Sequence, residues 1–213
     1  RGRPLRHPTG EPVALAMSES PSGPRLWLAR HARPLVETGV CYGRLDVAAD
    51  HAHTLSSAEQ LHATLPPDIA QWRSSPMRRC EQLANALTDL RSSLPTLHSD
   101  ARLVEMNFGL WEGQRWDDVP RDELDAWTDD FVGYSPGDGE SLQAMLTRVQ
   151  QALTESCAIA LREQKDVLWV THAGVIRCVL WLVEHGKQLP SAKDWNAPAP
   201  GFGGWIALPL SER

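Results

Sequence analysis

The sequence predicts an α/β fold, a three-layer α/β/α sandwich with a mostly parallel central sheet, and three observations carry that expectation. Leu26-Trp27-Leu28-Ala29-Arg30-His31 runs four apolar residues into an arginine and a histidine, which reads as a short buried strand with a charged, reactive tip. Val167-Leu168-Trp169-Val170-Thr171-His172-Ala173-Gly174 repeats that plan, with a histidine at the strand end and a glycine just beyond. Between the two, strand-length apolar runs alternate with stretches of helical period. Ligands of an open parallel sheet sit in the crevice beyond the carboxyl ends of its strands, so if the two strands are neighbours both imidazoles enter one pocket.

The 213 residues are 42% hydrophobic and 23% charged, the balance of an ordinary soluble globular domain. No run approaches the roughly 20 apolar residues that span a bilayer, and Val13 to Met17 is shorter than the apolar core of a signal peptide, about 7 to 15 residues. The expected location is therefore cytoplasmic. Cys41, Cys80, Cys157 and Cys178 lie far apart without the paired spacing of metal or redox motifs, and read as thiols. A net charge of −6 argues against nucleic acid and anionic membranes as partners, since both need a basic face. It leaves room for a small anionic substrate where arginines cluster.

In chain order, residues 1–24 hold five prolines and three glycines with no sustained apolar period, and read as a disordered or loosely attached arm. Met17 within it is a candidate native start; Glu11 and Glu19 weigh against an organelle-targeting peptide. After the first strand, Ala32 to Ala52 reads as an irregular loop broken by Pro34, Gly39 and Gly43, with Cys41-Tyr42-Gly43-Arg44-Leu45-Asp46 at its centre. Ala58, Leu61 and Leu65 fit a helical face from Ser56, ended by Pro66-Pro67, and Ile69 to Ser74 forms a second strand.

Ser75-Pro76-Met77-Arg78-Arg79-Cys80 then turns into a helix carried by Cys80, Leu83, Ala84, Leu87 and Leu90. Two cations in a helix's first turn oppose its macrodipole, a conflict that a bound anion would remove; the alternative is that both arginines point into solvent. A short strand is expected through Leu97 to Leu103. Residues 114–139 combine Trp116, Trp127, Phe131 and Tyr134 with eight acidic residues and are fragmented by Pro120, Gly133, Pro136, Gly137 and Gly139, which suits a short helical excursion. A long amphipathic helix from Ser141 packs Leu142, Met145, Val149, Leu153, Cys157 and Ala160 on the sheet. The second histidine strand follows, then a helix over Val175 to Val183, and Trp205 to Leu208 adds a final strand.

Two histidines, at least two arginines and a glutamate at the ends of regular elements are the groups that phosphoryl transfer through a phosphohistidine requires. A phosphate monoester is a dianion; arginine forks and helix N-terminal amides match its oxygens. A neutral imidazole can attack phosphorus in line, and a carboxylic acid can protonate the leaving oxygen and later take a proton from water.

The residues also resemble a known family. Arg30-His31 after an apolar strand, Ser75 four residues before Arg79, Glu105 in Leu-Val-Glu-Met-Asn-Phe-Gly-Leu-Trp-Glu-Gly, Gly139-Glu140-Ser141-Leu142 before a long helix, and Thr171-His172-Ala173-Gly174 occur in the order of the histidine phosphatase superfamily, the phosphoglycerate-mutase-like group. The match spans residues 25 to 208. It implies one histidine phosphatase domain over 25–213, with the excursion at 114–139, a phosphoglycerate-mutase-like fold and no metal or other cofactor. By position it makes His31 the nucleophile, Glu105 the general acid and base, and Arg30, Arg79 and His172 the phosphate clamp. Arg33, Arg44, Arg78, Tyr42 and Trp111 are candidates for substrate binding. The Cys41 to Asp46 loop and the short insertions resemble the alpha-ribazole phosphatases of cobalamin biosynthesis, which implies alpha-ribazole 5'-phosphate as substrate, with Trp111, Trp116 or Trp127 stacking on its benzimidazole or else packing helices to the body.

The chain departs from the family pattern where Ala32 replaces the signature glycine, Arg33-Pro34 follows it, and Leu83 stands at a frequent threonine. Alanine is tolerated there provided the backbone does not need positive φ. The remaining histidines, His7, His51, His53, His62, His98 and His185, share none of this context and read as structural; His51-Ala52-His53 lacks further ligands for a metal. Three other functions fit the same residues: a phosphoglycerate mutase, a broad-specificity sugar or nucleotide phosphatase, and a catalytically inactive phosphate-binding protein. The expected partner is a small phosphorylated molecule, and the number of copies in the assembly is left open, a homodimer included.

Overall fold

The computed structural model describes residues 23–211, so the expectations for residues 1–22, Met17 and His7 included, lie outside the described residues. Five strands form one sheet in the order β3-β2-β4-β1-β5, with β1 at Arg25–Arg30, β2 at Ile69–Ser74, β3 at Leu97–Ser99, β4 at Asp166–Thr171 and β5 at Trp205–Pro209. Only β5 is antiparallel, and it closes the edge beside β1. The two histidine strands are parallel neighbours, with Ala29 opposite Val170 and Arg30 opposite Thr171, so His31 and His172 leave the sheet side by side.

Period-two patterning divides the core. Trp27, Ala29, Leu168 and Val170 point to one face, where they meet α1 (His51–Thr64) and α2 (Arg78–Leu90) through Ala58, Leu61, Leu83 and Leu87. Leu26, Leu28, Val167 and Trp169 point to the other, against α4 (Leu142–Glu163) and α5 (Ala173–His185) through Val149, Leu153, Val175 and Val179. This is the three-layer sandwich expected. Between α2 and α4 the chain makes short 3-10 turns and one further helix, α3 (Arg121–Asp129). Its surroundings hold a separate apolar cluster of Cys41, Trp111 and Val119, edged by Trp116, Leu124, Trp127 and Tyr134.

Two element boundaries depart from the sequence reading. The first helix begins at His51, not Ser56, because Asp50 caps it: its carboxylate accepts from His53 N at 2.7 Å. A first turn made of His-Ala-His carries no apolar period to announce it. The third strand ends at Ser99, not Leu103, since Asp100 accepts from Arg102 N at 3.0 Å and turns the chain into a 3-10 turn over Ala101–Leu103. Asp100 also pairs with Arg73 at 2.7 Å and Arg102 at 2.8 Å, and Glu155 of α4 joins both arginines, clamping that turn to the sandwich. No helix among the described residues is long and apolar enough to cross a membrane.

Candidate active site

β1 delivers Arg30 and His31 to the carboxyl end of the sheet, and His31 N donates to Thr171 O at 3.0 Å, tying its backbone to the neighbouring tip. The His31 and His172 rings lie with centroids 5.1 Å apart at 60°. His31 is buried, and its Nδ1 is 2.7 Å from Ala32 O. A carbonyl oxygen only accepts, so Nδ1 carries the proton and Nε2 keeps its lone pair. Burial first, then the positive charges of Arg79 and Arg30, lower the imidazole pKa to about 3, so it is neutral at physiological pH.

His172 is completely buried and held well below the usual histidine range, mainly by burial and then by His31 and Arg79. Its Nε2 lies 2.8 Å from Ser75 Oγ and 3.4 Å from Cys80 Sγ. Ser75 reaches it because β2 ends beside β4, and Ser75 N donates to Val170 O at 3.0 Å.

Arg79, in the first turn of α2, is also completely buried. Its guanidinium donates to Leu45 O at 3.0 Å and Gly43 O at 2.6 Å, so the loop named in the sequence grips it through backbone carbonyls. Arg30 donates from Nη1 to Pro200 O at 3.0 Å. Burial lowers its pKa, an effect that Tyr42 and Glu105 partly oppose. The Nε of each arginine is buried with no hydrogen-bond partner, and no carboxylate among the described residues pairs with either. Burying a charge without a counterion costs on the order of several kcal/mol. An anion placed among these groups removes that cost.

Glu105 follows the 3-10 turn that Asp100 starts. Its Oε2 accepts from Gly174 N, in the first turn of α5, at 2.9 Å, and its Oε1 accepts from Met106 N at 3.0 Å. Gly174 is required here for space: a Cβ at that position would fall 2.1 Å from Glu105 Oε1. Gly174→Ala will therefore push the carboxylate off Gly174 N and lower kcat, with a smaller effect on stability because the atom that must move is the end of the Glu105 side chain; an unaltered kcat would contradict this packing.

Arg30, His31 and Glu105 open onto a cavity of about 310 Å³. Arg30, His31, Tyr42 and Glu105 line its polar end, and Phe108, Trp116, Trp127, Phe131 and Trp195 set five aromatic rings among the aliphatic side chains of its remaining wall. Arg79 and His172 are fully buried and do not line it; the His172 ring lies beside His31. Ala32, the departure from the family signature, is buried with φ outside the left-handed region, where Asp138 and Gln164 are the non-glycine residues, so the methyl introduces no backbone strain.

Four sequence candidates are not brought into this cavity. Trp111 is buried in the cluster under α3, and its Nε1 donates to Glu123 Oε2 at 2.5 Å, so it packs the excursion. Arg33, Arg44 and Arg78 extend exposed side chains, and what each contributes internally is a backbone amide: to His53 Nδ1, Glu112 Oε1 and Asp46 Oδ1, respectively. The expectation that the arginine pair of α2 shares one anion is corrected accordingly. Asp46 already supplies a carboxylate at the helix N-terminus through Arg78 N at 2.7 Å, and only Arg79 turns inward. Arg177, Trp195 and Phe202 were not singled out from sequence. Arg177 had a readable signal, since it stands three residues after Gly174 and so shares its helix face.

A model of the histidine phosphatase superfamily (branch 1) matches residues 26–211. An adenosylcobalamin/alpha-ribazole phosphatase of Salmonella typhimurium is 27% identical over 203 residues, covering 88% of this chain and 91% of that protein. The mycobacterial glucosyl-3-phosphoglycerate phosphatase structure is 25% identical with a TM-score of 0.70, covering 87% of this chain and 89% of that one. The alpha-ribazole phosphatase structure from Shigella flexneri, at 24% identity and a TM-score of 0.72 over 88% of this chain and 96% of that one, shares the fold.

Proposed function

The chain belongs to branch 1 of the histidine phosphatase superfamily and is a phosphatase; on that premise we propose that it hydrolyses phosphomonoesters through a phosphohistidine on His31, with alpha-ribazole 5'-phosphate as substrate. The observation that carries the chemistry is a fully buried Arg79 and a half-buried Arg30, neither with a carboxylate partner, beside two neutral imidazoles. Arg30 and Arg79 hold the phosphoryl oxygens, with His172 as a further donor. Nε2 of His31 attacks phosphorus, forming the P–N bond as the ester P–O bond breaks. The charge that develops on the ring is shared through Nδ1–H to Ala32 O. Glu105 gives its proton to the leaving oxygen. It then takes one from water, whose oxygen attacks phosphorus and releases phosphate and free His31.

The rest of the cavity supports this choice of substrate. Its volume lies at the small end of the roughly 300–1,000 Å³ of small-molecule sites. An aromatic wall around a phosphate site suits a flat, apolar leaving group better than a bare sugar, and Trp116 and Trp127 of that wall are nearly parallel, at 12°. Purified enzyme is expected to turn over alpha-ribazole 5'-phosphate with a higher kcat/KM than ribose 5-phosphate or 3-phosphoglycerate. Trp127→Ala will lower that value about 10- to 100-fold for alpha-ribazole 5'-phosphate, the usual worth of stacking, and far less for ribose 5-phosphate, which has no base. Equal rates across the panel would remove the cobalamin substrate and leave the phosphatase. Arg177 in the cavity favours a second reading, a leaving group with its own anion such as phosphoglycerate; preference for 3-phosphoglycerate, or its isomerisation without phosphate release, would select it.

A further inference from the structure

We propose that Phe202 is a positioning residue for the phosphate site, acting through Arg30. The segment between α5 and β5 passes across the tip of β1 and is sewn to it by three hydrogen bonds. Arg30 N donates to Gly204 O at 2.9 Å, Arg30 Nη1 to Pro200 O at 3.0 Å, and Gly203 N to His31 O at 2.9 Å. On its other side the segment rests on α1. Gly203 has φ +74°, and a Cβ there would fall 2.0 Å from Ser57 Oγ, so only glycine lets the strap lie this close. Phe202 is thereby held at a fixed place over Arg30, the last residue of β1, and His31, which follows it.

Its ring stands against both. The Arg30 guanidinium carbon is 3.9 Å from the Phe202 centroid, and the His31 and Phe202 centroids are 5.6 Å apart at 38°. Phe202 is 36% exposed and belongs to none of the apolar cores, so burial does not explain why an aromatic is placed here. Orientation of a cation does. Arg30 has Nη1 fixed on Pro200 O and a side-chain hydrogen bond with Tyr42, while its Nε is unpartnered; these bonds hold the edge of the guanidinium and leave its plane free to tilt about the line through them. The negative face of an aromatic ring fixes that plane. A carboxylate in the same place would hold it as well but would cancel the charge that an incoming dianion needs. The ring orients without neutralising.

This rests on Arg30 being a phosphate ligand, and the test separates the two claims. Inhibition of p-nitrophenyl phosphate hydrolysis by inorganic phosphate is measured for the full chain and for Arg30→Ala, Phe202→Ala, Phe202→Leu and Phe202→Trp. Phe202→Ala and Phe202→Leu are expected to weaken phosphate inhibition and raise KM by about 5- to 30-fold, the usual worth of a partly desolvated cation–π contact, with kcat little changed. Phe202→Trp, which keeps a π face, is expected to stay close to wild type. Unchanged inhibition in Arg30→Ala would overturn the role of Arg30 and the proposal with it. A loss in Arg30→Ala without one in Phe202→Ala would overturn the proposal alone, as would a leucine variant that performs like the tryptophan one. Should Phe202→Ala fail to fold, the leucine and tryptophan variants decide the question by themselves.

Discussion

His31→Ala will lower phosphomonoester turnover by at least about 10⁴, because the reaction then loses the atom on which its covalent intermediate forms. The same variant will trap no acid-labile phosphate during turnover, whereas the wild type will. Phosphate affinity is expected to persist, since Arg30 and Arg79 carry the charge and each is held by backbone carbonyls: Pro200 for one, Gly43 and Leu45 for the other. Rapid quench with labelled substrate reads the intermediate, and product inhibition reads the affinity. A variant that hydrolyses substrate near the wild-type rate would end the phosphohistidine mechanism. One that neither turns over nor binds phosphate would instead mean that the imidazole holds the arginines in place. The catalytically inactive alternative makes the opposite forecast, that the wild type forms no intermediate at all.

Glu105→Gln carries the second largest effect, a fall of about 10² to 10⁴ in the rate of enzyme phosphorylation with little change in phosphate binding. The amide is close in shape to the carboxylate and its oxygen can still accept from Gly174 N, while its NH2 gives up the bond that Oε1 accepts from Met106 N; the transferable proton is lost as well. The loss should shrink for p-nitrophenyl phosphate, whose leaving group needs less protonation than an alkoxide. Presteady-state comparison of the two substrates tests this, and equal losses on both would mean that Glu105 acts on binding or on structure. An unchanged rate would place the acid elsewhere in the cavity. Tyr42 lines it too, but burial raises its pKa, so it keeps its proton and gives it up less readily than a free phenol.

The elements of the fold were legible because each rests on local pattern. Val167 to Val170 is apolar on both faces because both faces of β4 are covered, and Leu83 to Leu87 keeps helical period because one side of α2 meets the sheet. The two boundaries that moved, at His51 and Ser99, are set by single carboxylates, Asp50 and Asp100, which capture nearby amides where no apolar period is present. Arg30, His31, Arg79, Glu105 and His172 were readable as a set from their order and their places at element ends. Phe202 and Trp195 were not, since they come from a segment with no recognisable motif, and Arg177 was marked only by its place three residues after Gly174.

What the sequence determined by itself is the layer architecture, the parallel order that makes β1 and β4 candidates for one crevice, and the chemical types gathered there. What only the tertiary structure decided is which member of each similar pair turns inward. Arg78 and Arg79 are adjacent and chemically identical, yet Asp46 satisfies the helix end at one while the Gly43 and Leu45 carbonyls draw the other into the core. Trp111 is withdrawn by Glu123, leaving Trp116 and Trp127 to line the cavity. Each outcome depends on a hydrogen-bond partner from a separate segment of the chain, and the cost of burying a polar group is settled only when that partner arrives.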